Sequence, residues 1–243
     1  MTKVAIITGG ARRIGAEITR TLHAQGFNVI VHYRYAISDA NALVAELNQQ
    51  RPDSACALPL DLSEISQFFD YIDHCQQRWG RIDLLINNAS SFYPTSVNFA
   101  TDIQWDDLFN SNVKGAFFLT QHALPWLQQT QGQVINITDI HAKTPLKGYP
   151  IYCMAKAALD MMTQSLAREC GPTVRVNAIA PGAILWPEDE NTLSEAKRTA
   201  IIDATALKRP GTPAHIAKAV LALISNDYMT GTTLTVDGGR SVS

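Results

Sequence analysis

A chain of 243 residues, 46% of them hydrophobic, is long enough to bury one sizeable core and is not disordered by composition. A formal charge of −2 speaks against a nucleic-acid partner. No apolar run approaches the roughly 18 residues of a membrane span, so no membrane partner is expected.

Met1-Thr2-Lys3 leads straight into an apolar segment, which reads as no secretory leader and a cytoplasmic protein. Cys56, Cys75, Cys153 and Cys170 are scattered without metal-ligand or CxxC spacing. Reduced thiols and no metal site are expected.

Lys3–Thr8 is a β-branched run and reads as the first strand. Gly9 to Gly15 is a glycine-rich turn, after which Ile18, Leu22 and His23 fall at helical spacing until Gly26. Phe27–Tyr33 is the second strand, residues 40–50 a helix, and 55–60 a short strand. An amphipathic helix over Ile65–Trp79 leads to a fourth strand, Ile82–Asn87. Trp105–Leu127 contains a long helix, with Pro125 expected to bend its end. The strand Gln133–Thr138 follows, then a helix from about Tyr152 to Cys170, a strand over Val174–Ile179, a helix over Pro213–Ile224 and a last strand, Thr232–Val236. Alternating strands and helices predict an α/β fold: a doubly wound Rossmann arrangement with a parallel sheet of about seven strands and helices on both faces. No linker or repeat divides the chain, so residues 1–243 read as one domain. Residues 183–205 break the pattern, and Trp186 to Asn191 is polar and acidic. Such a stretch is either disordered or a lid, and its place after the sixth strand favours a substrate lid.

Three features carry chemistry. Tyr152 and Lys156 are four apart, so on a helix they share a face, where an ammonium is expected to pull the phenol pKa down from about 10. Tyr152 then becomes a usable general acid near neutral pH. Asp139 lies just past the carboxyl end of a buried strand, where open α/β sheets bind ligands. The first βα turn, Thr8-Gly9-x-x-x-Arg13-Ile14-Gly15, has the small residues and helix N-terminus that suit a pyrophosphate.

An acid about 20 residues further on would mark NAD. Here the second strand ends in His32-Tyr33-Arg34-Tyr35, with no acid before Asp39. Arg34, assisted by Arg12, suits a 2′-phosphate, so NADPH is the expected cofactor; the plain alternative is a solvated loop arginine. Asp61, beside Leu62, either accepts from an adenine amino group or serves the next helix start, where Ser63 competes as the cap. Asn88, Ala89 and Ser90 end the fourth strand at the switch point of the sheet. Asn112 is either a surface residue or an interruption that holds a water.

Together these residues resemble the short-chain dehydrogenase/reductase family over nearly the whole chain, with Pro181-Gly182 and the terminal Asp237-Gly238-Gly239 adding to the likeness. The resemblance implies Tyr152 as acid/base, Lys156 on the nicotinamide ribose, Asn112 supporting a water chain, and Pro181-Gly182 against the nicotinamide. Two departures narrow it: Asp139 stands where the family has a catalytic Ser, and Arg13 replaces the second glycine of the turn. With Ser90-Ser91-Phe92-Tyr93 they resemble the pteridine reductases and the bacterial dihydromonapterin reductases. That subgroup implies a small-molecule pterin substrate, with Phe92 stacked on one face and Ser90 and Arg13 on its polar edge and the cofactor phosphate. The plain reading of Phe92 is core packing. A carbonyl or 3-oxoacyl-thioester reductase of the same family, and a non-catalytic NADP-binding sensor, are the alternatives. Family resemblance also implies a homotetramer.

Overall fold

The computed structural model describes residues 1–186 and 194–242. Seven strands form one parallel sheet: β1 (Val4–Ile7), β2 (Asn28–Tyr33), β3 (Ala55–Pro59), β4 (Leu84–Asn87), β5 (Gln133–Ile137), β6 (Arg175–Pro181) and β7 (Thr233–Val236), in the order β3-β2-β1-β4-β5-β6-β7. The central strands are continuous apolar runs because helices cover both faces. The order reverses between β1 and β4, which opens a crevice at their carboxyl ends.

One layer of core lies between the sheet and α1 (Arg13–Ala24), α2 (Ile37–Gln50) and α8 (Pro213–Ser225), with Ile18, Leu22, Leu47 and Val220 buried in it. The other lies under α3 (Phe68–Trp79), α5 (Gly115–Thr130) and α6 (Pro150–Cys170), around Phe68, Leu85, Leu119 and Leu127. A short α7 (Glu195–Asp203) precedes α8.

Three sequence expectations are corrected. The helix expected over 65–79 opens with a single 3-10 turn at Ile65–Gln67. The helix expected within 105–127 is three pieces: α4 (Asp102–Phe109), a π turn at Asn110–Lys114, and α5. The helix also runs past the expected Leu127 to Thr130, with Pro125 inside α5; a proline removes one helical hydrogen bond, and the buried Ala123 and Leu127 hold the helix on either side of it. Of the stretch expected to be a lid, residues 187–193 lie outside the described residues; Ala183–Trp186 leave β6 and α7 follows from Glu195.

No helix among the described residues is long and apolar enough to cross a membrane. The cysteines are free thiols. Among the described residues no three His, Cys, Asp or Glu cluster as a metal site would require.

Candidate active site

The site begins where β1 and β4 leave the sheet. Thr8 donates its hydroxyl to the Ile86 carbonyl at 3.2 Å and accepts the Asn88 and Ala89 amides at 2.9 and 3.0 Å. The Asn88 amide group donates back to the Thr8 carbonyl at 2.8 Å. The glycine turn is thereby locked to the end of β4. A Cβ on Gly15 would run into the Gly9 carbonyl and lie 2.7 Å from Asn88 Nδ2, so only glycine fits there. Arg13 takes the left-handed backbone conformation (φ 53°), which costs a non-glycine residue energy. Its guanidinium donates to the Trp186 carbonyl at 2.9 Å, reaching across the crevice to the segment after β6.

The N-cap residue of α1, Arg12, makes no side-chain cap, and no acid lies in the first turn, so the positive helix end suits an anion. A closed-in glycine cradle before an uncapped helix N-terminus fits a dinucleotide pyrophosphate. Arg12, expected to assist Arg34 at a 2′-phosphate, pairs with Asp39, its Nε donating at 2.7 Å.

Next to the turn lies a cavity of about 330 Å3, walled by His32, Arg34, Asp61, Leu62, Ala89 and Ser90. Arg34 pairs with Asp61 at 2.8 Å, so the two residues read separately in the sequence meet at its mouth. Burial alone would raise the Asp61 pKa, but hydrogen bonds from Ser63 and the Arg34 guanidinium outweigh it and hold the carboxyl below its ordinary value. Ser63 does not cap a helix as expected; its amide and hydroxyl both donate to Asp61 Oδ1, at 2.9 and 2.8 Å. Tyr33 packs partly buried against the core, at the end of β2.

The residues expected to react sit across the sheet, at the end of β5. Tyr152 and Lys156 lie one turn apart on α6, both buried. The Tyr152 hydroxyl donates to Asp139 Oδ2 at 2.7 Å, while Asp139 Oδ1 accepts the His141 amide at 2.8 Å. Asp139 is therefore aimed by the 3-10 turn that it caps (Ile140–Ala142). Lys156 donates to the Ile137 carbonyl at 3.0 Å and lies 5.7 Å from the centre of the Tyr152 ring.

The expected fall in the Tyr152 pKa is not found. Burial, then the Asp139 carboxylate, push it well above its ordinary value. Burial also pulls Lys156 down to about 8, with Asp139 opposing. Desolvation and a close negative charge outweigh an ammonium that faces the ring rather than the hydroxyl. Tyr152 thus holds its proton.

Phe92 forms the wall opposite. Its ring stacks on Tyr149 (centroids 4.7 Å, 11° between planes) and meets Tyr152 edge-on at 4.8 Å. It is half-buried, in a small cluster with Leu108 and Ile151. Ser90 is exposed at the rim. Asn112 is neither a surface residue nor a regular helical one: it sits buried in the π turn, its Nδ2 donating to the Ser91 and Leu108 carbonyls at 3.0 and 2.9 Å. Its Oδ1 meets no donor among the described residues, which suits a water. Ile14 is half-buried at the start of α1. Pro181 ends β6, and a Cβ on Gly182 would lie 2.6 Å from the Asp237 side chain, so the two terminal motifs meet here.

A family model described as enoyl-(acyl carrier protein) reductase matches residues 9–241. Pteridine reductase 1 of Leishmania tarentolae is 32% identical to the chain, covering 99% of it and 96% of the relative. The chain belongs to the short-chain dehydrogenase/reductase family. A 3-oxoacyl-(acyl-carrier-protein) reductase of Staphylococcus epidermidis is also 32% identical, covering 98% of this chain and 99% of that one. All three names are of reductases, and short-chain dehydrogenase/reductase enzymes that reduce their substrates use NAD(P)H.

Within this family's site, three contacts are not legible in the sequence. Tyr149, although its spacing to Tyr152 fits the pteridine reductase likeness, backs Phe92, and no spacing rule announces a ring contact across 57 residues. The Trp186 carbonyl receives Arg13 across 173 residues. Asn87 and Asn136 stand side by side in adjacent strands, Asn87 Nδ2 donating to Asn136 Oδ1 at 2.9 Å. A signal for these existed: each is an amide inside an otherwise apolar strand, and a buried amide needs partners.

Proposed function

We propose that the chain is an NADPH-dependent pteridine reductase that reduces dihydropterins to tetrahydropterins, dihydrofolate included among its candidate substrates. The observation that carries this reading is the Asp139–Tyr152 hydrogen bond of 2.7 Å facing the Phe92 ring. The relative named a pteridine reductase, matched along almost the whole chain, supports it.

A pterin is flat and edged with donors and acceptors. Phe92, held by Tyr149 behind it, offers a face for stacking, and Arg13 and Ser90 offer polar edges. Reducing a ring C=N needs a hydride on carbon and a proton on nitrogen. The nicotinamide, when bound, supplies the hydride; Arg34 would meet a 2′-phosphate and favour NADPH. The proton comes from Tyr152. A phenolate beside an ionised carboxylate is costly. Tyr152 therefore gives up its proton only as a water held beside Asn112 replaces it, while Asp139 orients the hydroxyl. Lys156 and Asn112 hold the cofactor ribose and the water that refills the pair.

A second reading, 3-oxoacyl-thioester reduction, rests on the equally similar 3-oxoacyl reductase. Asp139 weighs against it. A ketone oxygen gathers negative charge as it is reduced, and a carboxylate in its path repels that charge where a hydroxyl would stabilise it. Outside the site, we read the protein as a cytoplasmic homotetramer with residues 1–243 as one catalytic unit. NADPH and NADH oxidation measured against dihydropterins, dihydrofolate and 3-oxoacyl thioesters tests the function directly. Turnover of thioesters without pterins would replace the first reading by the second. Asp139→Ser restores the hydroxyl and removes the carboxyl: it should bind NADPH normally and lose pterin reduction by about 10²–10⁴-fold. Wild-type rates in this variant would sink the role given to Asp139.

A further inference from the structure

Two consecutive amides of the phosphate turn are held by one residue outside it. The Gly9 N–H donates to the His32 Nδ1 at 2.9 Å, and the Gly10 N–H donates to the His32 carbonyl at 3.0 Å. We propose that His32 is a positioning residue of the cofactor site: a neutral imidazole, locked as the Nε2–H tautomer, that keeps the β1–α1 turn shaped for a nicotinamide dinucleotide. This rests on reading the protein as a nicotinamide-cofactor reductase and is independent of which substrate it reduces.

The tautomer follows from the partners. A backbone N–H only donates, so Nδ1 must be bare to accept from Gly9. A backbone carbonyl only accepts, so Nε2, 3.0 Å from the Leu60 carbonyl, must carry the hydrogen. No other assignment satisfies both contacts. The residue is 2% exposed. One buried side chain thus ties three strand ends together: the turn after β1, its own strand β2, and the end of β3. Each end carries a residue of the cofactor cleft. Arg34 is two residues past His32, and Asp61 follows Leu60.

The Gly9 backbone is in the left-handed region (φ +59°), and its amide points back at the imidazole. The turn's inner amides are thereby satisfied by the protein, and the amides opening α1 are left to meet the phosphates. The groups facing His32 are Tyr71 of α3, edge-on at 6.0 Å, and Asp61, itself paired with Arg34 at 2.8 Å. Burial lowers the His32 pKa to about 4, opposed by the Leu60 carbonyl and Asp61, so the acceptor persists through the neutral range.

Two near-isosteric replacements separate positioning from packing. Asparagine places an amide oxygen close to Nδ1 and can accept from Gly9, but it is small and leaves a void. Glutamine fills more of the space and reaches Leu60, but offers Gly9 no acceptor. NADPH dissociation constants by fluorescence titration, and thermal midpoints, are measured for wild type, His32→Asn, His32→Gln and His32→Leu. His32→Asn should bind NADPH within about fivefold of wild type, and Gln and Leu should lose about ten- to a hundredfold, while glutamine gives the higher thermal midpoint. Affinity that tracks thermal stability, or that is unchanged in His32→Leu, overturns the proposal. Nitrogen-15 NMR of the wild-type imidazole tests it without a variant. A bare Nδ1 and protonated Nε2, with no titration between pH 8 and 5, is expected; the opposite tautomer, or titration near the ordinary histidine value, overturns it. Because the readout is cofactor affinity, a wild type that binds NADPH and reduces no pterin removes the pterin reading alone. A wild type that binds neither nicotinamide cofactor removes both.

Discussion

Lys156 shows how burial reshapes a residue whose place beside Tyr152 is legible from spacing. Its four-residue offset from Tyr152 follows from helical periodicity and survives intact. Its electrostatics do not, because desolvation depends on what α6 packs against, and that is written nowhere near residue 156. The same holds for His32, whose tautomer is set by partners 23 and 28 residues away. Lys156 is 3% exposed and hydrogen-bonded to one carbonyl, Ile137. Its folded pKa of about 8 lies below the ordinary 10.5, so the charged form is the one that folding disfavours. The cost is full below pH 8 and disappears as pH rises to 10.5, because over that window only the unfolded chain still binds the proton. Lys156→Met should therefore abolish turnover yet raise stability at pH 7 by up to about 3 kcal/mol, an advantage that fades by pH 10.5. Urea unfolding at both pH values checks this; a destabilised variant at pH 7 would show that the ammonium is well paired in the folded protein.

At the scale of elements, what aims α6 is a polar seam through an apolar core. Asn87 of β4 donates to Asn136 of β5, and Asn136 Nδ2 donates to Thr163 of α6 at 2.9 Å. Thr163 lies two helical turns after Lys156, on the same face, and is fully buried, as is Asn136. The helix carrying Tyr152 and Lys156 is thus fastened to the strand that delivers Asp139. The existence of β5 and α6 is plain from the sequence, since long periodic segments announce themselves. The seam is less plain, and so is the π turn at Asn110–Lys114, because a π turn keeps helical composition while shifting one hydrogen bond. Thr163→Val keeps the shape and removes the acceptor, leaving a buried amide hydrogen unpaired. It should destabilise the protein by about 1–3 kcal/mol and lower kcat more than NADPH affinity, since the cofactor turn lies on other strands. Chemical denaturation and steady-state kinetics decide; an unchanged midpoint would mean that Asn136 finds another partner.

For the whole molecule, strand and helix alternation predicts the parallel sheet, and the crevice at its order reversal gathers residues from 9 to 182. Alternation says nothing about outer faces, because an apolar residue at helical spacing reads as core whether its partner is the sheet or another copy. The outer face of α5 and α6 is such a case. Phe117 is 39% exposed and Met161 59%, and they border an apolar groove of about 340 Å3 shared with Val113, Phe118, Met162 and Leu166. Contiguous apolar surface of this kind on two adjacent helices costs free energy in water and favours association. A twofold interface would set this face against itself, so one charge added per copy places two like charges in contact. Phe117→Glu and Met161→Glu should each convert the proposed four-copy assembly to a smaller species, leaving the fold intact because neither side chain lies in the buried core. Light scattering with size-exclusion chromatography measures the mass, and circular dichroism the fold. A wild type that is monomeric at micromolar concentration would remove the tetramer. Variants that keep the wild-type mass would move the interface to another face.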